Sequence, residues 1–202
     1  MTDCYRLGAW AAGGVAVIGL AYVAALVVGF MQVGFDAPIG DPVLAVMEGL
    51  TLLSSLGVLV AMAAIHQHAA PERKIFGVLA LSFTVMFAGI TSTVHFVALT
   101  ASRQLGVAGI AWPSAGYAAE LLAWDWFLGL ALIFAAPVFA GKGAERLPRR
   151  AFLLSGVLAL AGTVGPLVGD MRLQRIGILG YAVALPIAFF LLARYFRARR
   201  PI

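Results

Sequence analysis

Long apolar runs, separated by short segments that carry charged residues or proline, dominate the pattern of this chain. A helix needs about 20 consecutive, mostly apolar residues to cross the hydrocarbon core of a bilayer. Six runs reach that length, and they cover 7–31, 43–65, 75–100, 117–140, 151–169 and 176–193. The pattern therefore predicts an all-α integral membrane protein, with residues 1–202 forming a single bundle of six transmembrane helices.

The composition supports lipid as the solvent of this chain. Hydrophobic residues make up 62% of the 202 positions and charged residues only 11%, whereas soluble domains carry about 25% charged residues. The net charge of +5 would also suit a nucleic-acid-binding protein. However, the basic residues stand at the ends of apolar runs, where they would contact lipid headgroups. Membrane lipid is therefore an expected partner and nucleic acid is not.

Lysine and arginine are distributed unevenly between the two sets of predicted helix ends. Eleven of the 14 stand at one set of ends, and Arg103, Arg172 and Arg175 stand at the other. Basic residues accumulate on the cytoplasmic side of membrane proteins. This asymmetry predicts a multi-pass protein of the cell membrane with both termini in the cytoplasm. The loops predicted to face outward are 32–41, 101–116 and 170–175.

Four ionisable residues interrupt the apolar runs in the outward half of the predicted bundle. With a helical rise of about 1.5 Å per residue, Glu48 and His95 each lie roughly 9 Å below the outer end of their helices. Glu120 and Asp125 bracket the same level in the fourth helix, although their side chains point about 140° apart. A charge that faces lipid costs several kcal/mol, so such residues normally face the bundle interior and mark a functional site. The sequence predicts Glu48, His95, Glu120 and Asp125 as catalytic residues.

Polar and aromatic residues near these four are the candidates for binding a substrate. Hydroxyl side chains share helical stripes with Glu48 and His95, two tryptophans flank Asp125, and an aromatic segment before the fourth helix could form a lid. The predicted substrate-binding residues are Thr51, Ser55, Thr91, Ser92, Trp112, Tyr117, Trp124 and Trp126. The alternative is that the hydroxyls only join helices by hydrogen bonds and that the aromatic residues only pack or anchor the helices.

No cofactor and no metal site are expected from these residues. A divalent ion held by His95, Glu48 and Glu120 is an alternative, because one histidine with carboxylates suits several such ions. A haem between His95 and either His66 or His68 within one chain is excluded, since the helical rise separates their levels by roughly 25 Å. The predicted spans also contain no lysine that could form a Schiff base with a chromophore.

Glycine and proline indicate where helices approach one another or bend. Gly165 and Gly169 form a GxxxG pair in the fifth run, and such pairs permit close helix packing. Pro186 interrupts the sixth helix near its middle. The first helix carries several glycines but no ionisable residue within its span, which predicts tight packing and leaves a homo-oligomer open as an alternative.

The predicted site favours an acid–base enzyme, of the isomerase or cyclase type, that acts on an apolar small molecule such as an isoprenoid or a sterol-like lipid. In a dry pocket, one of Glu48 and Glu120 would donate a proton while the other accepts one, with His95 as their partner. A small transporter, with proton coupling as one variant, is the first alternative, although no ionisable residue marks a path through the inner half. The second alternative is a structural subunit of a larger membrane complex, in which the polar residues only order the helices.

Overall fold

The computed structural model describes residues 2–34, 37–107 and 112–199, and within these ranges every regular element is helical. Six helices in these ranges are long and apolar enough to cross a membrane. They are α1 (Asp3–Val33), α2 (Val43–His68), α3 (Pro71–Leu105), α4 (Ala115–Val138), α5 (Gly143–Val168) and α6 (Met171–Arg197). The predicted all-helical fold with six apolar helices is confirmed. Residues 35–36 and 108–111 of the predicted outer loops lie outside the described residues.

Two helices extend well beyond their apolar runs. α3 continues to Leu105 and carries Arg103 on its last turn, although the apolar pattern predicts a loop there. α5 begins at Gly143, so that the basic segment 146–150 is helical. The apolar pattern ends where polar side chains begin, but backbone hydrogen bonding continues for as long as the residues favour a helix.

The six helices form a closed ring in which each packs against its neighbours along the chain and α6 returns to pack against α1. Because the connections are short and the number of helices is even, both termini lie at one end, here called the terminal end. The opposite end, here called the distal end, holds the connections 34–42, 106–114 and 169–170. Apolar side chains fill the ring toward the terminal end, where Phe139 and Phe196 are fully buried.

Glycines let α5 and α6 approach each other closely. A Cβ atom built on Gly162 would lie 2.7 Å from the Cα atom of Gly177, and one on Gly165 would lie 2.5 Å from the backbone nitrogen of Gln174. Gly165 therefore makes the close contact that the GxxxG pattern predicts. Gly169 does not, because it ends α5 with a φ of +76° in the turn before α6.

α1 uses two of its glycines inside this bundle. A Cβ atom on Gly8 would lie 2.7 Å from side-chain atoms of Ala64 and Phe196, and one on Gly19 would lie 2.5 Å from Cγ of Pro186. These contacts hold α1 against α2 and α6 near the terminal end and against α6 again near its middle. The tight packing predicted for α1 is thus made within one chain, and the homo-oligomer stays a prediction.

Replacing Gly180 on α6 should destabilise the fold. A Cβ atom there would lie 2.7 Å from the backbone nitrogen of Ala159 and 2.9 Å from the carbonyl oxygen of Ser155, and neither atom can move without shifting α5. We expect Gly180→Ala to lower the free energy of unfolding by about 1–3 kcal/mol, because overpacking forces such shifts. Thermal unfolding in detergent micelles measures the effect.

Gly89 on α3 provides the matched control, because a Cβ atom built there meets no atom within 4 Å. We expect Gly89→Ala to leave stability unchanged or to raise it by up to about 1 kcal/mol, since alanine favours a helix more than glycine does. Equal unfolding midpoints for the two variants would contradict the close packing of α5 against α6.

Candidate functional site

A cavity of about 230 Å³ lies in the distal half of the ring, between α1, α2, α3, α4 and α6. Its polar lining consists of Glu48, Thr51, Ser54, His95 and Glu120, and its aromatic lining of Tyr22, Tyr117, Trp124 and Tyr181. Most of the remaining wall is aliphatic. The cavity thus brings Glu48, His95 and Glu120 around one space from three successive helices. Among the described residues, none of α5 belongs to the wall.

His95 and Glu120 form the central contact of this cavity. Nε2 of His95 lies 2.8 Å from Oε1 of Glu120, which is a hydrogen-bonding distance. The indole N–H of Trp124, one turn further along α4, donates to the same carboxylate oxygen. His95 is only 7% exposed, so the contact is shielded from solvent. The carboxylate of Glu120 is therefore held from two sides.

Each member of this pair keeps one polar atom without a partner. Oε2 of Glu120 and Nδ1 of His95 are buried and make no hydrogen bond to any residue that the structure describes. When Nε2 of neutral His95 carries the imidazole proton and donates it to the Glu120 carboxylate, both free atoms are acceptors. Buried polar atoms normally have partners, so two unpaired atoms in one hydrogen-bonded pair make His95 and Glu120 the leading candidates for a functional site.

Glu48 lies in a different electrostatic setting, because Arg103 pairs with it. Nη1 of Arg103 donates to Oε2 of Glu48 at 2.7 Å. Nε and Nη2 of Arg103 donate to the two carboxylate oxygens of Asp41 at 2.9 and 2.7 Å. Glu48 is 3% exposed, whereas Asp41 is exposed. These three residues, here called the Arg103 strap, tie the α1–α2 connection and the end of α3 to the cavity wall.

The contact between Arg103 and Asp41 depends on pH in the acidic range. The hydrogen bonds from Arg103 hold the pKa of the Asp41 carboxyl below its ordinary value. A lowered pKa in the folded protein means that the contact stabilises the fold above the ordinary Asp pKa of about 4. This stabilisation is lost as the pH falls through the lowered value. The hydropathy pattern does not mark Arg103 as a site residue, although the two acidic residues near the start of α2 are a signal that could have indicated this role.

Asp125 does not line the cavity. Its side chain is fully buried toward α5 and α6, where Gln174 donates to its Oδ2 at 3.4 Å and its Oδ1 packs against Gly162 and Gly177. Gln174 also donates to the hydroxyl of Tyr181 at 2.8 Å. Since Tyr181 lines the cavity, Asp125 is connected to the site only through these two side chains in the described structure. The angular offset from the other acid on α4 accounts for this separation.

Three of the predicted substrate-binding residues, Thr51, Tyr117 and Trp124, line the cavity. Trp112 packs its ring against Tyr117, with centroids 6.1 Å apart, and does not itself line the cavity. Trp126 is 45% exposed and lies on the outside of the ring. A binding role for the three lining residues stays a prediction.

Ser55, Thr91 and Ser92 do not line the cavity. Oγ of Ser55 donates to the carbonyl oxygen of Leu52 and lies 3.5 Å from Oγ of Ser92, so these two serines meet between α2 and α3. Thr91 is fully buried, and its hydroxyl makes no hydrogen bond within the described part of the chain. The two serines occupy positions that suit the alternative of hydrogen bonds between helices.

Three stretches of π-helix lie in helices that contribute to the cavity wall. They are Ala98–Ser102 in α3, Leu122–Leu128 in α4 and Leu179–Ala184 in α6. The first follows His95, the second contains Trp124 and the third contains Tyr181. Such turns are frequent at functional sites because they widen the helix locally. The hydropathy pattern does not mark them, although Pro186 lacks the N–H that would bond residue 182 and so weakens the regular pattern beside the third.

α1 and α6 form part of the cavity wall. The positions of the ionisable residues in the sequence do not predict this, because those residues lie on other helices. Tyr22 of α1 and Tyr181 of α6 line the cavity together with Gly19 and Pro186. A tyrosine inside an apolar run is the sequence feature that could have predicted this wall, since a buried tyrosine hydroxyl usually forms a hydrogen bond with a polar partner.

A second polar network lies at the terminal end, away from the cavity. Nδ1 of His68 lies 3.1 Å from the hydroxyl of Tyr5, and Nε2 lies 3.0 Å from the hydroxyl of Tyr195. Tyr195 donates in turn to Glu145 at 2.8 Å, and Arg199 donates to the same oxygen at 3.3 Å. We interpret this network as a clamp that joins α1, α2, α5 and α6.

In the ranges that the structure covers, no three histidine, cysteine or acidic side chains are placed to hold a metal ion. Glu48, His95 and Glu120 share a cavity, but they are not arranged as a ligand set. The fold and the cavity define a six-helix bundle of membrane type with a carboxylate–imidazole site in its interior. No protein-family model, curated protein or solved structure matches the chain. Its function is therefore inferred from the site itself.

Removing Arg103 should leave Glu48 as an unpaired buried charge. Taking one partner from a buried ion pair costs about 3–5 kcal/mol of stability, and we expect Arg103→Gln to fall near the lower value because the Arg103 side chain is 28% exposed. Adding Glu48→Gln to Arg103→Gln should recover part of that loss, since the unpaired charge is then gone. Thermal unfolding of the single and double variants in detergent is the measurement.

Arg172→Gln is the matched control, because Arg172 pairs with Asp170 at the surface, where its side chain is 81% exposed. Exposed pairs contribute little to stability, so this variant should unfold near the wild-type temperature. A loss for Arg103→Gln no larger than that for Arg172→Gln would contradict the pairing of Arg103 with the buried Glu48 of the cavity wall.

Proposed function

We propose that this protein is a membrane-embedded enzyme that carries out acid–base chemistry, of the isomerase or cyclase type, on an apolar small molecule. One observation carries the proposal. A carboxylate and an imidazole share a hydrogen bond inside a largely apolar cavity, and each keeps one polar atom free. Such a pair can accept a proton at one position and return it at another, which is the whole requirement of a double-bond isomerisation.

The roles of the residues follow from their contacts. In the proposed reaction, the protonated pair of Glu120 and His95 donates a proton to one carbon of a double bond. The resulting cation loses a proton from a neighbouring carbon to the same pair, so that the substrate gains and loses one proton and needs no redox partner. Trp124 faces this site and stabilises the cation through its ring. Glu48 already pairs with Arg103, and we assign it an electrostatic role.

The size of the cavity narrows the substrate class. An apolar cavity of about 150 Å³ in another protein is large enough to bind benzene. The 230 Å³ found here suits a substituted ring or a short isoprenoid unit. A sterol would extend beyond this volume, so we favour the smaller isoprenoid-like substrates.

The packing between the cavity and the terminal end supports an enzyme over the transporter alternative. Met62, Leu132 and Phe189 are fully buried there, on α2, α4 and α6. A transporter has to open its site toward both sides of the membrane in turn. Opening a path from this cavity would require these close-packed apolar side chains to separate.

We also propose that the terminal end faces the cytoplasm and that the protein resides in the cell membrane. Basic residues flank the helices at this end. On the first turns of α5 and the last turns of α6 they are Arg146, Arg149, Arg150, Arg194 and Arg197. Basic residues accumulate on the cytoplasmic side of membrane proteins, which supports this orientation. The cavity then lies in the outer half of the membrane.

Solvent deuterium provides a test that needs no known product. Purified protein in detergent and D₂O is incubated with small cyclic and acyclic alkenes whose volumes span that of the cavity. We expect one class of alkene to gain deuterium, because the proton delivered by the pair originates in solvent. Mass spectrometry reads the gain, and we expect Glu120→Gln to lower the rate by at least about 10²-fold.

Glu72→Gln is the matched control, because Glu72 is exposed at the terminal end. This variant should exchange deuterium at the wild-type rate. Wild-type rates in Glu120→Gln, or no exchange with any alkene across the series, would contradict the proposed chemistry.

A further inference from the structure

We propose that the cavity binds an organic cation, namely a protonated amine on a compact apolar body, with its N–H directed at Glu120. The inference rests on the proposed function, because an ammonium group resembles the cation through which the proposed reaction passes. Binding of such a ligand nevertheless requires no turnover. An experiment can therefore contradict the cation site without contradicting the proposed reaction, and the reverse.

The charges around the cavity favour a cationic guest. Two carboxylates line the cavity, those of Glu48 and Glu120, and no lysine or arginine of the described residues lines it. Arg103 contacts Glu48 and also Asp41. Glu120 has no guanidinium or ammonium partner among the described residues, and its Oε2 is buried without a hydrogen bond. Once the pair has delivered a proton, as in the proposed reaction, it carries a negative charge that no guanidinium or ammonium group of the described residues balances. A buried charge is costly unless it is paired, so a ligand cation supplies the missing partner.

Aromatic rings provide the second element of a cation site. Trp124 is held in place by its indole N–H on Glu120, by the edge-to-face contact with Phe87 at 4.9 Å and by Tyr181 at 5.2 Å. Tyr22 lies on the same cavity wall. Cations bind within about 6 Å of the centre of an aromatic ring, and rings arranged around a cavity are the usual recognition element for alkylated ammonium groups. Because Trp124 is already fixed, little ordering is needed on binding.

The remaining wall defines the other part of the ligand. Aliphatic side chains from α1, α2 and α6 line the cavity, namely Val15, Ile18, Leu44 and Leu185. They offer no hydrogen-bonding groups, so the body of the ligand must be apolar. A protonated tertiary amine, which keeps one N–H, can donate to the carboxylate of Glu120 and still present methyl groups to the rings. A quaternary ammonium satisfies the rings but lacks that donor.

The test compares two molecules of nearly equal shape. N,N-dimethylcyclohexylamine is protonated at neutral pH, and isopropylcyclohexane is its uncharged hydrocarbon counterpart. Calorimetric titration of the purified protein in a non-ionic detergent measures the affinity for each probe, with empty micelles as the blank. We expect the amine to bind at least about tenfold more tightly, since both the carboxylate and the rings discriminate for charge.

Variants separate the site from non-specific uptake. Glu120→Gln should lower the affinity for the amine at least about tenfold and leave that for the hydrocarbon unchanged. Trp124→Leu should act in the same direction, which keeps the proposal testable where Glu120→Gln fails to fold. Glu72→Gln should bind both probes as the wild type does.

Equal affinities of the wild-type protein for the two probes would overturn the inference. An amine affinity that is unchanged in both Glu120→Gln and Trp124→Leu would overturn it too. Tight amine binding without deuterium exchange would support the cation site and contradict the enzyme. Deuterium exchange without a preference for the amine would support the enzyme and contradict the cation site.

Discussion

One carboxylate oxygen, Oε1 of Glu120, contacts two ring nitrogens inside a largely apolar ring of helices. Because lipid cannot solvate a carboxylate, Glu120 has to face inward, and its partners have to lie at the same level of the bundle. His95 meets that requirement from α3, and Trp124 meets it from the next turn of α4. This contact joins α3 to α4 beside the cavity. The proposed chemistry depends on it, because the pair supplies the acid and the base.

The packing around that contact is uneven. On one side, Gly162 and Gly165 bring α5 so close to α6 that no room for a ligand remains between them. On the other side, π-helical turns in α3, α4 and α6 widen the helices next to the cavity, and Arg103 ties α3 to the start of α2. Close packing therefore holds α5 against α6. Looser and more polar packing surrounds the carboxylate and the imidazole, which is the arrangement expected where the proposed reaction would take place.

The number of helices and the common level of Glu48, His95 and Glu120 could be predicted, because hydropathy and helical rise are properties of the local sequence. The rotation of each helix about its own axis is not a local property, since it depends on the neighbours. Asp125 shows the consequence: its depth matches that of the other acids, but α4 turns it toward α5 and α6. Arg103 is a residue that the sequence did not assign to the site. Its partner Glu48 lies 55 positions away, and only the folded ring brings the two side chains together. The chemical roles of these residues remain predictions that experiments have to test.

An experimental structure of the protein, purified with its native lipids and reconstituted in nanodiscs, would test the central claim most directly. We predict that Nε2 of His95 and the carboxylate of Glu120 lie within hydrogen-bonding distance, beside a cavity that holds density for a compact, largely apolar molecule close to that carboxylate. Two side chains that point into different helix interfaces, or a cavity closed by the surrounding tyrosines and Trp124, would contradict it.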